Sequence, residues 1–207
     1  MKTCIADFTV WTPPRENPQE LPKLEFCDPL FKRRLSQISR MTVQVVHDLI
    51  QKNPSARDAK LVFSSFRGEL ARQLKINKGL YEDADVMPAP FSLSVFNTPP
   101  AAATIAEKIT AGYTAVYPSQ DNFNDALAAA CAPVLAGSES QILFVYADEY
   151  IIDEYKSAYR SRYPAQDEYP FPLAFACLLT KDGGKELDLS QKFDSPQEFA
   201  RFAGGAL

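Results

Sequence analysis

The sequence predicts an α/β fold in which a mostly parallel mixed sheet is covered by helices on both faces. Strand-like and helix-like segments alternate in the order β-α-β-α-β-α-β-β, and such alternation favours βαβ units. Ile142–Ala147 is an unbroken apolar run, which is typical of a strand buried on both faces. With 207 residues, of which 46% are hydrophobic and 23% charged, we predict a single domain over residues 1–207.

The first third of the chain supplies two strands and two helices. Thr3–Trp11 is β-prone and predicts the first strand, whereas residues 12–30 contain five prolines and predict an irregular loop. Apolar residues recur at helical spacing over Phe31–Gln51, which predicts a long helix. Lys60–Phe66 then predicts a second buried strand, and Arg67–Lys78 a further helix.

The middle of the chain predicts a polar loop at Gly79–Pro90, a helix at Ala101–Ile109 and a strand at Tyr113–Tyr117. Pro118 ends this strand, since proline cannot donate to a ladder. The next helix begins near Phe123 and should stop at Gly137.

The last third is less regular. Asp153–Asp167 is charged and rich in tyrosine, and we interpret it as a surface excursion. Phe171–Leu179 predicts the final strand, Asp182-Gly183-Gly184 a tight turn, and Pro196–Phe202 a short helix.

Composition excludes several classes of function. A formal charge of −4 and a pI near 5.1 argue against nucleic acid or an anionic membrane as the main partner. No apolar run is long enough for a membrane span, and no signal peptide is evident at the start, so we expect a cytoplasmic protein. The cysteines Cys4, Cys27, Cys131 and Cys177 are far apart and His47 is the only histidine, so we predict no metal site and no cofactor.

Gln120 lies at the turn between the predicted strand Tyr113–Tyr117 and the helix that follows it. Many enzymes place a nucleophile at such a junction, near backbone N–H groups and the positive end of the helix dipole. An amide side chain is not a nucleophile. By position alone, Gln120 could be a turn residue that caps the helix alongside Asp121 and Asn122.

Five segments resemble the N-terminal half of the β-ketoacyl synthases, and they occur in the family's order. They are ARDAKLVFSSFRGEL, FSLSVFNTPPAAATIAEKI, AVYPSQDNFNDALAAACAPVLAG, QILFVYADE and YPFPLAFACLLT. The interval from Asn97 to Gln120 is similar to the family's interval from asparagine to catalytic cysteine. The resemblance covers nearly the whole chain and implies a thiolase-like half-fold.

Two departures from the family matter for activity. Gln120 stands where the family has its catalytic cysteine, as in the chain-length factors that accompany ketosynthases in type II polyketide systems. The half of the fold that would carry the two catalytic histidines is also missing, and His47 cannot replace them. A Claisen condensation needs a thiolate and groups that stabilise its anions, so we predict no catalytic residue for it.

The chain resembles the short ketoacyl-synthase-like proteins of aryl polyene pathways. This resemblance implies a non-catalytic, chain-length-factor-like subunit that pairs with a full-length ketosynthase, shapes its acyl tunnel and meets acyl carrier protein through the complex. It also implies that Gln120 lines a pocket. The strand expected to pair across the dimer comprises Tyr113, Thr114, Ala115, Val116 and Tyr117. The other positions expected near the partner's pocket are Ala89, Pro90, Phe91 and Asn97.

Two alternatives stay open. The first is a homodimeric module that binds acyl groups or acyl carrier protein, with the basic residues Lys32–Arg34 and Arg40 meeting the acidic carrier. The second is a hydrolase or acyltransferase of another kind, with Ser119, Asp121 or a cysteine as its nucleophile.

Overall fold

Six strands form one sheet in the computed structural model, which describes residues 2–84, 88–119, 122–162 and 169–205. Strands form where β-branched and aromatic residues cluster, and the apolar β4 and β5 are buried almost throughout. The strands are β1 (Lys2–Trp11), β2 (Lys60–Ser64), β3 (Tyr113–Val116), β4 (Gln141–Asp148), β5 (Leu173–Thr180) and β6 (Lys185–Asp188).

The helices begin and end at recognisable signals. Ser36 and Ser195 cap two of them through side-chain hydrogen bonds, and Gly137 ends another with φ of 72°. The described helices are α1 (Pro29–Arg33), α2 (Gln37–Lys52), α3 (Leu70–Asp83), α4 (Pro88–Ser92), α5 (Thr98–Glu107), α6 (Phe123–Ala136), α7 (Asp153–Arg162) and α8 (Pro196–Ala203), with a 3₁₀ turn at Pro54–Asp58.

The strand order is β3-β2-β4-β5-β1-β6. The predicted mixed α/β sheet is confirmed, but the prediction that it is mostly parallel was wrong. Only β2 with β3 and β2 with β4 are parallel, whereas the other three neighbouring pairs are antiparallel. The reason is that Leu173 of β5 pairs with Asp148 of β4, so the connection between them returns to the same end of the sheet. An excursion of this kind and a crossover to a parallel strand look alike in sequence.

The strand predicted at Phe171–Leu179 is β5, and it is not the last one. After β5 the chain crosses over β1 and forms β6. Both β5 and β6 pair with β1, on its opposite sides, and the register shifts between Ile5 and Asp7. Gly184 makes the crossing possible: its φ is 94°, and a Cβ there would lie 2.1 Å from the carbonyl oxygen of Ile5. Only glycine fits such an approach.

Helices cover both faces of the sheet, as the sequence predicts. On one face α2 packs on β5, β1 and β4, and α5 packs on α2 and beside β3; Met41 and Val45 are fully buried in the same apolar cluster as Phe63. On the other face α6 and α8 pack on β4 and β5 through an aromatic cluster, in which the Phe123 and Phe199 rings are 5.3 Å apart. The site described below lies at one end of this layered core.

Several predicted boundaries shift. The long helix predicted at Phe31–Gln51 is two helices, since Ser36 caps a new start. The predicted loop Gly79–Pro90 is shorter, because α3 continues to Asp83 and α4 begins at Pro88. The surface excursion contains the helix α7, and residues 163–168 lie outside the described residues.

Candidate functional site

β3 lies at the edge of the sheet. Within the described residues it pairs only with β2, so its other side presents unpaired backbone groups. Thr114 is exposed, Tyr113 is 36% exposed, and Tyr117, just after the strand, is 56% exposed. Ala115 and Val116 pack against opposite faces of the core. The predicted strand is thus an edge in this chain, and its pairing across a dimer stays a prediction.

Asn97 lies beside this edge. Its Nδ2 donates a hydrogen bond to the Tyr113 hydroxyl at 3.0 Å. The neighbouring Phe96 ring packs edge-on against the rings of Tyr117 and Phe63, at 5.7 Å and 5.8 Å. The structure therefore brings Asn97 beside Tyr113 of β3, and Phe96 beside Tyr117; that they form an interface stays a prediction.

Ala89, Pro90 and Phe91 lie in α4, which packs beside α3. Ala89 is exposed and the Phe91 side chain is 55% exposed. These residues form an exposed apolar position where the sequence predicts contact with a partner, and that contact stays a prediction.

Gln120 and Asp121 lie outside the described residues. On either side of them, the Ser119 hydroxyl donates to Asp125 Oδ2 at 2.8 Å, and the Asn122 side chain caps α6 by accepting from the N–H of Asn124. Asn122 is thus a cap of this helix, as its position suggested, whereas the same suggestion for Gln120 and Asp121 stays a prediction. His47 lies on α2, as expected, and its Nδ1 is 2.8 Å from Glu107 Oε1.

A cavity of about 440 Å³ opens near the carboxyl ends of β2, β3 and β4. Ligands in α/β proteins bind most often at this edge of the sheet. Sequence reasoning missed it, and Tyr117 is the one predicted site residue among its described lining residues. Its aromatic walls are Phe66, Tyr117, Tyr146, Tyr155 and Tyr159.

Asp148 organises the floor of this cavity. Its Oδ1 accepts hydrogen bonds from the Ser65 hydroxyl at 2.6 Å and from the backbone N–H groups of Phe66 and Arg67, both at 3.1 Å. Its Oδ2 accepts from the Tyr146 hydroxyl and is 3.3 Å from Arg67 Nη2. One carboxylate at the end of β4 thereby fixes the turn that follows β2.

The side chain of Glu149, the next residue, is buried in the protein and contacts the start of α3. It is 2% exposed, and its Oε1 accepts from the backbone N–H of Ala71 at 2.8 Å. The pKa of Glu149 is raised to about 7, mainly because the carboxyl is buried and in part because the Glu69 carboxylate is near, although the backbone hydrogen bond from Ala71 and the charge of Arg67 lower it.

Glu69 is fully buried and is held by three side chains. It accepts from the hydroxyls of Ser36 at 2.7 Å and Ser39 at 2.6 Å, and from Arg72 Nε at 3.1 Å. This cluster fastens the start of α2 to the start of α3, behind the cavity wall.

α7 forms a further wall that sequence reasoning did not find. Tyr155, Ala158, Tyr159 and Arg162 all line the cavity. They recur at intervals of three and four residues, the spacing of one helix face. That periodicity could have predicted a helix with one face on a cavity. The segment is so rich in charged residues that it was interpreted as a surface excursion instead.

Two negative findings apply to the described residues. No helix among them combines the length and the apolar character needed to span a bilayer. They also contain no group of three or more His, Cys, Asp or Glu side chains placed to hold a metal ion.

The family described as β-ketoacyl synthase, N-terminal domain, matches residues 9–202. None of the curated proteins matches the sequence. Among solved structures, the chain is similar to one in the complex of the ketosynthase ApeO with its chain length factor ApeC from Xenorhabdus doucetiae. The identity is 25%, the match covers 89% of this chain and 81% of that one, and the TM-score is 0.69.

Two more distant structures share the fold. The ishigamide ketosynthase/chain length factor is 12% identical, with 87% of this chain and 62% of that one covered and a TM-score of 0.66. A β-ketoacyl synthase from Burkholderia phymatum STM815 is 12% identical, with 79% and 46% covered and a TM-score of 0.57. The chain therefore spans less than two thirds of either of these.

The resemblance drawn from five sequence segments, and the thiolase-like α/β fold it implied, are both confirmed. The match extends over almost the whole sequence, from β1 to α8. This chain belongs to the β-ketoacyl synthase N-terminal domain family.

Proposed function

We propose that the chain is a non-catalytic, chain-length-factor-like subunit that pairs with a full-length ketosynthase in the cytoplasm and shapes its acyl tunnel. The observation that carries this proposal is the similarity to a chain in a complex of a ketosynthase with its chain length factor. The match covers 81% of that chain. The sequence resemblance points to an aryl polyene or related polyketide pathway, in which acyl carrier protein would reach this subunit through the complex.

The chemistry of the chain supports a non-catalytic role. Gln120 supplies an amide where the family uses a thiolate, and the Ser119 hydroxyl is engaged with Asp125. Burial raises the pKa of the Cys131 thiol to about 11 and that of Cys177 well above its ordinary value. These thiols therefore stay protonated near neutral pH and make poor nucleophiles.

The surface around β3 supports a protein partner. An edge strand offers a row of unpaired backbone groups to a second strand. Here that edge is flanked by the exposed aromatic side chains of Tyr113 and Tyr117, and aromatic residues are enriched in the cores of interfaces. Continuing the sheet into a ketosynthase through β3 would cover both features. Phe91 and Gln120 would then be positions whose bulk limits the acyl chain.

The test is coexpression with the ketosynthase encoded nearest to this chain, followed by size-exclusion chromatography with mass determination. We expect a one-to-one complex. A stable homodimer that ignores the ketosynthase would overturn the proposal and would favour the carrier-binding module instead, with the exposed Arg33 and Arg34 of the basic run at its surface.

A further inference from the structure

The helix α7 forms a wall of the cavity at the carboxyl ends of the parallel strands without being packed into the core. None of the ten residues of Asp153–Arg162 is buried, whereas α2 and α6 bury side chains in every turn. Tyr155, Ala158 and Tyr159 nevertheless line the cavity of about 440 Å³. Helices in proteins are stabilised mainly by the packing of an apolar face, and segments with few buried apolar contacts open locally at a low free-energy cost. This wall is therefore much less firmly attached than the sheet.

A second cavity, of about 310 Å³, adjoins the first at the beginning of α7. Lys156 lines it from α7, and Ile151 and Pro170 line both cavities. Ile151 lies two residues before α7 and is 1% exposed, so it is part of the partition between the two spaces. Protein interiors are otherwise close-packed, and side chains resist displacement where no space is empty. The empty space next to both Ile151 and α7 gives this segment room to shift.

Exposed charged groups hold α7 against the rest of the chain. Lys78 Nζ of α3 lies 2.8 Å from Glu154 Oε1, and the two side chains are 48% and 50% exposed. Lys156 Nζ donates a hydrogen bond to the Tyr150 hydroxyl at 3.1 Å and lies 5.4 Å and 5.5 Å from the ring centroids of Tyr150 and Tyr169. An exposed ion pair contributes little to stability, and a cation over an exposed ring contributes only slightly more. These contacts are weak enough to break and re-form while the core stays folded.

We propose that α7 is a gate between the two cavities. A local displacement of α7 draws Ile151 out of the partition and joins the two cavities into one. The contacts of Glu154 with α3, and of Lys156 with the two tyrosine rings, are the latch that holds the gate closed. This inference goes beyond the proposed function, because it assigns a moving part to this chain, and it does not depend on pairing with a ketosynthase.

The test measures how often a thiol placed in the partition reaches solvent. In the full chain with Ile151→Cys, alkylation by iodoacetamide is followed by mass spectrometry, and each rate is divided by that of the same thiol in the urea-unfolded chain. Cys177, which is fully buried in the core, reports unfolding of the whole chain in the same sample. We expect the introduced thiol to react at least about a hundredfold faster than Cys177, because opening of the gate costs less than global unfolding.

Substitutions in the latch should speed up the labelling of the introduced thiol. Glu154→Gln and Lys78→Gln each remove one charge of the ion pair, and each should raise the labelling rate about two- to fivefold. Lys78→Gln is the sharper of the two, because Glu154 lies in the first turn of α7, where its charge also stabilises the helix directly. Lys156→Met removes the charge from the tyrosine rings and should raise the rate at least about threefold.

Glu186→Gln is the matched control. It breaks the ion pair between Lys2 and Glu186, whose N–O distance is 2.7 Å and whose side chains are 58% and 62% exposed. This pair joins β1 to β6 and lines neither cavity, so the labelling rate should stay that of the parent chain. Circular dichroism of each variant establishes that it is folded.

Amide hydrogen exchange of the chain without Ile151→Cys provides a second measurement. α7 should exchange faster than α2, and faster again in Lys78→Gln. The inference is overturned if the introduced thiol reacts as slowly as Cys177, or if neither Glu154→Gln nor Lys78→Gln changes its rate. An equal rise in Glu186→Gln would overturn the assignment of the latch. If the Ile151→Cys chain does not fold, hydrogen exchange decides alone, and equal exchange of α7 and α2 overturns the gate.

Discussion

The buried carboxylate of Glu149 accepts a hydrogen bond at 2.8 Å from the backbone N–H of Ala71, a residue 78 positions earlier in the chain. Ala71 lies in the first turn of α3, and the N-cap residue of that helix makes no side-chain capping bond. Glu149, just after β4, is therefore far from α3 along the chain and yet caps its first turn, where the helix dipole favours negative charge. This contact joins the end of the sheet to α3 beside the cavity.

Glu149→Gln should alter the pH dependence of stability. The pKa of Glu149 is raised from 4.5 to about 7 in the folded protein, so the folded state holds a proton that the unfolded chain releases between these values. The contribution of Glu149 to the free energy of unfolding therefore falls by on the order of 3 kcal/mol as pH rises through this window. Urea unfolding at about pH 5 and about pH 8 measures the free energy of unfolding on either side of the window. Its fall between these two pH values should be smaller in Glu149→Gln than in the wild type.

Glu16→Gln, at an exposed position, is the control for this change and should retain the wild-type dependence. Identical pH profiles for wild type and Glu149→Gln would show that Glu149 does not titrate in this window. The charged groups that influence it, Glu69 and Arg67, are unchanged in both variants.

Glu69→Ala should be strongly destabilising. The substitution leaves two buried or partly buried hydroxyls, on Ser36 and Ser39, and the guanidinium of Arg72 without their common acceptor. Removing one partner of a buried charged network costs about 3–5 kcal/mol. The urea midpoint of unfolding measures this, with the exposed Glu25→Ala as control, expected within about 0.5 kcal/mol of wild type. A similar small loss in Glu69→Ala would contradict the importance of the cluster.

Gly184→Ala and Gly183→Ala form a matched pair. Both glycines have positive φ, 94° and 86°, but a Cβ at Gly184 would lie 2.1 Å from the Ile5 carbonyl oxygen, whereas a Cβ at Gly183 meets nothing within 4 Å. Gly183→Ala should cost only the conformational strain of about 1–2 kcal/mol. Gly184→Ala must also displace β1 or β6, so we expect a larger fall in melting temperature. Equal falls in melting temperature for the two variants would mean that the backbone around Gly184 and Ile5 accommodates a Cβ without displacing a strand.

Thr114→Arg should weaken association with the ketosynthase. Thr114 is exposed on β3, and a bulky charge there would be desolvated by a strand added at this edge. We expect affinity, measured by surface plasmon resonance with the immobilised ketosynthase, to fall by at least about tenfold. Ser140→Arg, at an exposed position before β4, should bind as the wild type does. An unchanged affinity for Thr114→Arg would place the interface elsewhere.

The parts of the fold that the sequence predicts well depend on local signals. α6 was predictable because Phe123, Leu127 and Val134 recur at helical spacing and Gly137 adopts the left-handed conformation that ends a helix. β4 was predictable because its central residues, Ile142–Ala147, are apolar without interruption. Neither prediction needed information from a distant part of the chain.

The parts that escaped prediction depend on long-range partners. Nothing local distinguishes β5 as antiparallel to β4, because its direction is set by where its connection returns to the sheet. The cavity is likewise assembled from separate segments, and its members, such as Arg67 and Tyr155, each look like ordinary surface or core residues in isolation. The edge position of β3 was expected through the family resemblance, and its register with β2 appears only in three dimensions.

The position of β1 between β5 and β6 has a consequence for how the protein acquires its fold during synthesis. Cys4 pairs with Thr180 and Lys2 with Asp188, so β1, synthesised before the other five strands, can pair only after β5 and β6 have been synthesised. A nascent chain stopped before Leu173 would hold the segments of the whole parallel half, β2, β3 and β4, and a β1 with neither neighbour. Such high contact order slows folding and leaves a strand available to chaperones or to aggregation on the ribosome.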